Sequence, residues 1–180
     1  PDQIGIKDRI RLTGKLEQLS KKVLPPSIMT MWREHDIAKS VQGITVMDRV
    51  PESNIQSIKT DMACAVRTAQ RTGAKVVLAT HATYFGSTLK DADKPMMTAW
   101  RRFYPDLKEE GFLDLEQRTN AAIKALAQEM NLPLVDVDQA IPPGPANFAD
   151  FVHFTDAGAA RMAQLLMPPL LELTGTPATH

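Results

Sequence analysis

The chain has 180 residues, 43% hydrophobic and 23% charged, which is typical of one globular domain rather than a disordered or fibrous chain. Its 21 lysine and arginine residues balance 21 aspartate and glutamate residues, and the resulting net charge of zero argues against a broad surface for nucleic acid or anionic membranes. No stretch approaches the ~20 apolar residues of a membrane span, and a single cysteine excludes an internal disulfide.

The first forty residues are predicted to be mainly helical. Pro25 and Pro26 end the first helical run, because proline lacks the backbone N–H that a continuing helix needs. A second short helix is predicted from Ser27, whose hydroxyl suits an N-cap. Residues 43–50 fit either a strand or an extended loop. The apolar residues that recur at helical spacing in the first run are Ile10, Leu16, Leu19 and Val23.

A long amphipathic helix followed by a strand is predicted from residue 52 onward. Gly73 supplies the C-terminal stop of the helix, and the apolar run 74–79 is typical of a buried parallel strand. Cys64 lies within the helix, where we expect a small buried hydrophobic side chain rather than a nucleophile. The residues that define the apolar face are Ile55, Ile58, Met62, Ala65, Val66 and Ala69.

A second helix–strand unit follows a long polar segment. Residues 81–110 are predicted to form a loop with one helical turn around Trp100. Residues 112–130 have the apolar spacing of an amphipathic helix, with Asn131 as its cap, and residues 132–137 predict the next strand.

The last helix is predicted to begin near Thr155, with that residue as its N-cap, and to end at Gly175. The pair Pro168 and Pro169 predicts an interruption or a kink within it. The order of helices and strands predicts an α/β layered fold. Only two strands are secure, whereas sheets usually have about four to six. Three or four amphipathic helices would have too little sheet to cover, so we expect the first strands to lie upstream of Pro1.

The loop before the last helix contains the pair Asp150 and His153. A carboxylate three residues before a histidine can lie beside the imidazole Nδ1 and fix its tautomer, which leaves the other ring nitrogen to accept a proton from a serine. Loops at the carboxyl ends of parallel strands form the ligand crevice of open sheets. On spacing alone, an exposed loop pair without a function is the more common explanation of this motif.

The segment from Asp150 to Gly158 (DFVHFTDAG) resembles the last block of the SGNH (GDSL-like) hydrolase family. The resemblance extends backwards through residues 118–127 and 132–137, which are similar to the helix and strand that precede this block, and through residues 73–80. It covers about residues 52 to 170.

The resemblance implies a flavodoxin-like, three-layer α/β/α sandwich with a parallel sheet that hydrolyses carboxylic esters without a metal or a cofactor. It implies that His153 is the general base and that Asp150 orients it. The family's Gly-Asp-Ser nucleophile block and its Gly-x-Asn-Asp oxyanion block are absent from this sequence. We therefore expect the serine to lie upstream of this chain, and the chain alone to be inactive.

In terms of domains, the resemblance implies that residues 1–180 are one partial hydrolase domain. Residues 1–50 would form a helical insertion or lid-like segment, and residues 52–175 the core portion that carries the catalytic block. The expected partners are a small-molecule, lipid or carbohydrate ester and the missing amino-terminal segment, with no nucleic acid and no membrane span. The alternative is a non-catalytic SGNH-like or flavodoxin-like binding module.

Five other residues have both a functional and a structural interpretation. Ser87 is a possible substitute nucleophile, but it lacks the strand–elbow–helix context of G-x-S-x-G. His81 follows a predicted strand and could contact substrate, although a hydrogen-bonded loop histidine is the more common role. Tyr84 and Phe85 fit an acyl pocket or ordinary packing. Asp156 fits a helix start better than a metal ligand.

Overall fold

The computed structural model describes residues 25–175. Within this range the chain is about 59% helix and 5% strand. The helices are α1 (Pro26–Ser40), α2 (Glu52–Arg71), α3 (Lys94–Arg101), α4 (Glu109–Glu129), α5 (Val137–Ala140) and α6 (Asp156–Thr174), with a 3-10 turn at Asp91–Asp93. The strands are β1 (Leu78–Ala79) and β2 (Leu134–Val135).

The prediction of a three-layer α/β/α sandwich is wrong. Within the described residues, β1 and β2 form a two-stranded parallel sheet in which Leu78 pairs with Leu134 and Ala79 with Val135. A sandwich needs a multistranded sheet between two helical layers, and this pair is far smaller. The second strand is short because α5 begins at Val137, which turns the backbone away from the ladder directly after β2.

The two long amphipathic helices predicted from the apolar spacing are confirmed as α2 and α4. They pack against each other and cover β1 through a cluster that includes Val66, Leu78, Ile123 and Leu126. The expected burial of Cys64 is wrong, because this side chain is exposed. Cys64 precedes buried Val66 by two residues, and about 100° of rotation per residue places it on the opposite side of α2.

The amino-terminal part of the described chain is helical, as expected, but its start differs. The helix predicted around residues 10–23 lies outside the described residues. Helix α1 has Pro25 at its N-cap without a side-chain hydrogen bond and Pro26 at its first position, so Ser27 lies inside the first turn and the prediction of Ser27 as N-cap is wrong. The ambiguous segment 43–50 contributes one isolated parallel bridge, between Met47 and Leu107.

The segment predicted as a long loop with one helical turn is more helical than expected. It contains the 3-10 turn and α3, which starts with proline near its N-terminus and buries Met97 and Trp100. These side chains form a core cluster with Phe85, Leu107 and Phe112. Aromatic and methionine side chains bury enough apolar surface to hold this segment against α4.

The predictions for both ends of the last helix are confirmed. The Thr155 hydroxyl accepts a hydrogen bond from the Gly158 N–H at 3.2 Å, as an N-cap does, and Gly175 ends the helix with φ +70°. The helix continues through Pro168 and Pro169 without interruption. None of the helices between residues 25 and 175 is long and apolar enough to cross a bilayer.

Candidate active site

The loop between α5 and α6 folds into a closed turn that presents Asp150 and His153. Phe148 and Phe154 form an antiparallel bridge at the base of the turn, and their rings lie 4.9 Å apart. Inside the bridge, the Ala149 N–H donates to the His153 carbonyl oxygen at 2.7 Å. Because these contacts close a loop of only a few residues, Asp150 and His153 lie side by side.

The base of this turn is fixed to the start of α6 through Asn147, which is buried. Its side-chain Nδ2 donates to the Pro142 carbonyl oxygen at 2.8 Å, and its own carbonyl oxygen accepts from the Thr155 N–H at 2.9 Å. The same carbonyl packs directly against Gly158. Helix α6 therefore sets the position of the loop, and the loop sets the position of the pair.

The Asp150 carboxylate contacts the His153 ring in the geometry that a general base requires. His153 Nδ1 lies 2.8 Å from Asp150 Oδ2 and 3.0 Å from Oδ1. The backbone N–H groups of Val152 and His153 donate to Asp150 Oδ1 at 2.9 and 2.8 Å. A carboxylate acceptor favours the tautomer with the proton on Nδ1, which leaves Nε2 as a proton acceptor. The His153 side chain is 77% exposed, so Nε2 is accessible.

The electrostatics keep Asp150 ionised. Its partial burial opposes the charged form, but the backbone N–H groups of His153 and Val152 and the His153 ring outweigh this effect and lower the pKa of Asp150 below its ordinary value. Hydrogen bonds to a carboxylate favour its charged state, and the charged carboxylate in turn stabilises an imidazolium. The ionised Asp150 carboxylate therefore lies where it can stabilise a proton on the His153 ring.

Two cavities meet at His153. The first, of about 730 Å³, is also lined by Arg33, Arg102 and Asp150, and the second, of about 410 Å³, is lined by Trp100 and other aromatic residues. The guanidinium of Arg33 donates to the Pro95 carbonyl oxygen at 3.3 Å. Among the described residues, the walls of these two cavities contain no serine, threonine or cysteine.

Of the other residues considered from the sequence, His81 lines the second cavity together with His153. Its Nδ1 lies 2.8 Å from Glu116 Oε2 on α4. Phe85 is buried and stacks on Trp100 with ring centroids 5.6 Å apart, which matches the packing interpretation. The Tyr84 backbone N–H donates to the Phe151 carbonyl oxygen at 3.1 Å, which ties the segment after β1 to the loop that carries Asp150 and His153.

Ser87 is not brought to the Asp150–His153 pair. It lines a separate cavity of about 430 Å³ together with Glu116 and Asp138, and neither Asp150 nor His153 lines this cavity. Asp156 lies in the first turn of α6, as expected of a helix-start residue. Across residues 25–175, no group of three or more histidine, cysteine or acidic side chains is arranged to hold a metal ion.

Two residues of the site were not recognised from the sequence. Glu116 and Asn120 lie one turn apart on α4, and both contact His81. A polar pair at i and i+4 within an otherwise apolar stripe is the signal that could have identified them. Asn120 is 4% exposed, and a buried amide needs partners for its oxygen and nitrogen, which the His81 backbone supplies.

The assignment of Asp150 and His153 to catalysis stays a prediction, which rests on the geometry of the pair and on the SGNH-like segment around it. The resemblance to the SGNH family also stays a prediction, as does the division into a helical insertion over residues 1–50 and a core portion over residues 52–175. Comparison of the chain with protein-family models, with curated proteins and with solved structures gave no match.

Proposed function

We propose that Asp150 and His153 form the general-base half of a serine-dependent carboxylic-ester hydrolase. The observation that carries this proposal is the contact of both Asp150 carboxylate oxygens with His153 Nδ1, at 2.8 and 3.0 Å, beside an imidazole that is 77% exposed on two cavities. A structural ion pair would not need an accessible ring, whereas a base must reach the proton that it accepts.

In the proposed reaction, a serine hydroxyl attacks the ester carbonyl carbon while His153 Nε2 accepts the hydroxyl proton. Asp150 holds the ring in position and stabilises the imidazolium that forms. The tetrahedral intermediate collapses, and His153 returns the proton to the departing alcohol oxygen. Water then attacks the acyl-serine with the same base, which releases the acid and restores the serine.

The proposal places the serine in a part of the protein outside the described residues. This follows from the walls of the two cavities at His153, to which the described residues contribute no serine. Ser87 lines a different cavity and does not fill this role. The SGNH-like segment from Asp150 to Gly158 supports the same assignment, because that family supplies its serine from a separate block. The proposal depends on the Asp150–His153 pair and the loop that carries it, and it does not require a three-layer α/β/α sandwich.

A fluorophosphonate probe tests the proposal, because such probes react with serines that a general base activates. The natural full-length protein should be labelled at one serine, identified by mass spectrometry, and the His153→Ala variant should not be labelled. His35→Ala is the matched control, since His35 is an exposed histidine on α1. Labelling of His153→Ala at the wild-type rate would refute the proposal, and labelling of Ser87 would move the nucleophile into this chain.

A further inference from the structure

The cavity beside His153 contains a second imidazole–carboxylate pair. His81 Nδ1 lies 2.8 Å from Glu116 Oε2, the same distance that separates His153 Nδ1 from Asp150 Oδ2. The Glu116 side chain is 18% exposed, whereas that of His81 is 47% exposed. The carboxylate is therefore less accessible than the ring, and because Nδ1 faces Glu116, Nε2 is the ring nitrogen left for a ligand in the cavity.

The position of His81 is fixed by the buried side chain of Asn120. The His81 N–H donates to Asn120 Oδ1 at 2.8 Å, and the His81 carbonyl oxygen accepts from Asn120 Nδ2 at 2.8 Å. A buried amide that holds both backbone groups of one residue leaves that residue little freedom. Helix α4 thus holds the backbone of His81 through Asn120 and its ring through Glu116, which is one turn earlier.

The remaining wall of this cavity is aromatic. Trp100 and Phe112 form its floor with ring centroids 4.6 Å apart, and Phe103 and Tyr104 extend from its rim. The two rim residues are 69% and 57% exposed, which is a large apolar surface to leave in water. A ligand with a flat apolar group would cover them and would lie against His81 and His153.

We propose that His81 is a substrate-binding residue of this cavity, which donates a hydrogen bond from Nε2 to an anionic oxygen of the substrate. The substrate class is then an ester that carries a flat apolar group and a carboxylate or another acidic oxygen. This inference rests on the proposed function, because it takes the cavity at His153 as the substrate site. The His81 imidazole selects the substrate and takes no part in the proton transfer at His153.

The charges around His81 favour its protonated form, in which both ring nitrogens carry a proton. The hydrogen bond with Glu116 raises the pKa of His81 above its ordinary value despite the burial of the ring, and the charge of Asp138 on α5 adds to this effect. Tyr104 and His153 are the other titratable groups on the cavity wall. With Nδ1 donating to Glu116, the Nε2 proton is the one available to an anion, and such charge-assisted hydrogen bonds are strong.

A binding experiment with two matched probes tests the proposal without relying on turnover. Phenylacetate and phenylacetamide differ in charge but share the same ring, and NMR of the chain reports contact through the ring signals of His81 and His153. We expect both signals to shift, and phenylacetate to bind roughly tenfold more tightly than phenylacetamide below the pKa of His81. The preference should disappear as the pH rises through that pKa.

Three variants separate the contributions. His81→Gln should remove the preference for phenylacetate, whereas the control His35→Gln should keep it. Glu116→Gln should lower the pKa of His81, which the pH dependence of its ring signals reports. The preference for phenylacetate should then be lost at a lower pH than in the wild type. A purely structural role of Glu116 would not produce this shift.

The outcomes distinguish this inference from the proposed function. An unchanged preference in His81→Gln, or equal binding of the two probes to the wild type, would overturn the role of His81 and leave the role of His153 intact. If neither probe shifts the ring signals of His81 or His153, the inference is also overturned. The role of His153 is decided separately, by whether the fluorophosphonate probe still labels a serine in the His153→Ala variant.

Discussion

The carbonyl oxygen of Asn147 occupies the space that a side chain on Gly158 would need. A Cβ built on Gly158 would lie 2.1 Å from this oxygen, far inside van der Waals contact. This close approach joins the loop that carries Asp150 and His153 to the first turn of α6, and only glycine permits it. The glycine that follows the Asp–His pair in the sequence therefore has a packing role that fixes the orientation of the pair.

Gly158→Ala should destabilise the protein, because either the loop or the helix must move to accept the methyl group. We expect a loss of about 1–3 kcal/mol in the free energy of unfolding, the usual cost of overpacking. The matched control is Gly86→Ala, whose Cβ would meet only Pro143 at 3.8 Å. Urea denaturation of both variants measures the difference, and equal stabilities would contradict the account of this contact.

The buried hydroxyl of Thr80 links the end of β1 to the turn after β2. Its Oγ1 donates to Asp136 Oδ1 at 2.9 Å and accepts from the Asp138 N–H at 3.0 Å. Thr80→Val keeps the shape but removes both bonds, so unfolding should require about 1–3 kcal/mol less free energy. Thr68→Val, at an exposed position of α2, should change stability by less than about 0.5 kcal/mol. Thermal or urea unfolding of the two variants measures both changes in the free energy of unfolding.

The lowered pKa of Asp150 makes part of the stability depend on pH. A carboxyl group with a lower pKa in the folded state stabilises that state above its unfolded pKa of about 3.9, and this contribution is lost as the pH falls through the folded value. Asp150→Asn should therefore be less stable than the wild type at neutral pH. The stabilities of the two proteins should converge at acidic pH, which unfolding experiments at a series of pH values measure. A difference in stability that stays constant across this pH series would contradict a contribution from the lowered pKa of Asp150.

The chain of 180 residues, expressed alone, should not hydrolyse p-nitrophenyl acetate above the background rate. The reason is that the sequence lacks the Gly-Asp-Ser block proposed to supply the serine, and the described walls of the cavities at His153 contribute no serine either. A spectrophotometric assay measures the rate of hydrolysis, with the His153→Ala variant of the same chain as the blank. Turnover that depends on His153 would place the nucleophile inside the chain.

The two long helices were predictable from the sequence, whereas the sheet was not. An amphipathic helix repeats its apolar signal at every turn, so α2 and α4 could be located from positions such as Val66 and Ile123 alone. A strand exists only through a partner, and the apolar run 74–79 does not reveal that pairing stops after Leu78 and Ala79. Such runs predicted only an α/β layered pattern, and the three-layer sandwich that the SGNH resemblance implied is wrong.

The same distinction applies to the site. Asp150 and His153 are three residues apart in one turn, so their contact follows from local chain geometry and could be predicted. Glu116 and His81 are 35 residues apart, and their contact exists only because α4 packs beside the end of β1. The polar residues Glu116 and Asn120 within the apolar stripe of α4 mark the position, but no local pattern identifies His81 as their partner, so the second pair emerged only from the structure.

Turnover of p-nitrophenyl acetate by the natural full-length protein is the most direct test of the central claim that His153 is a general base oriented by Asp150. His153→Ala should lower kcat/KM by several powers of ten, and Asp150→Asn should lower it by roughly 10⁴, because loss of either residue removes the proton acceptor or its correct tautomer. His35→Ala should retain wild-type turnover. Near-normal activity of His153→Ala would contradict the account.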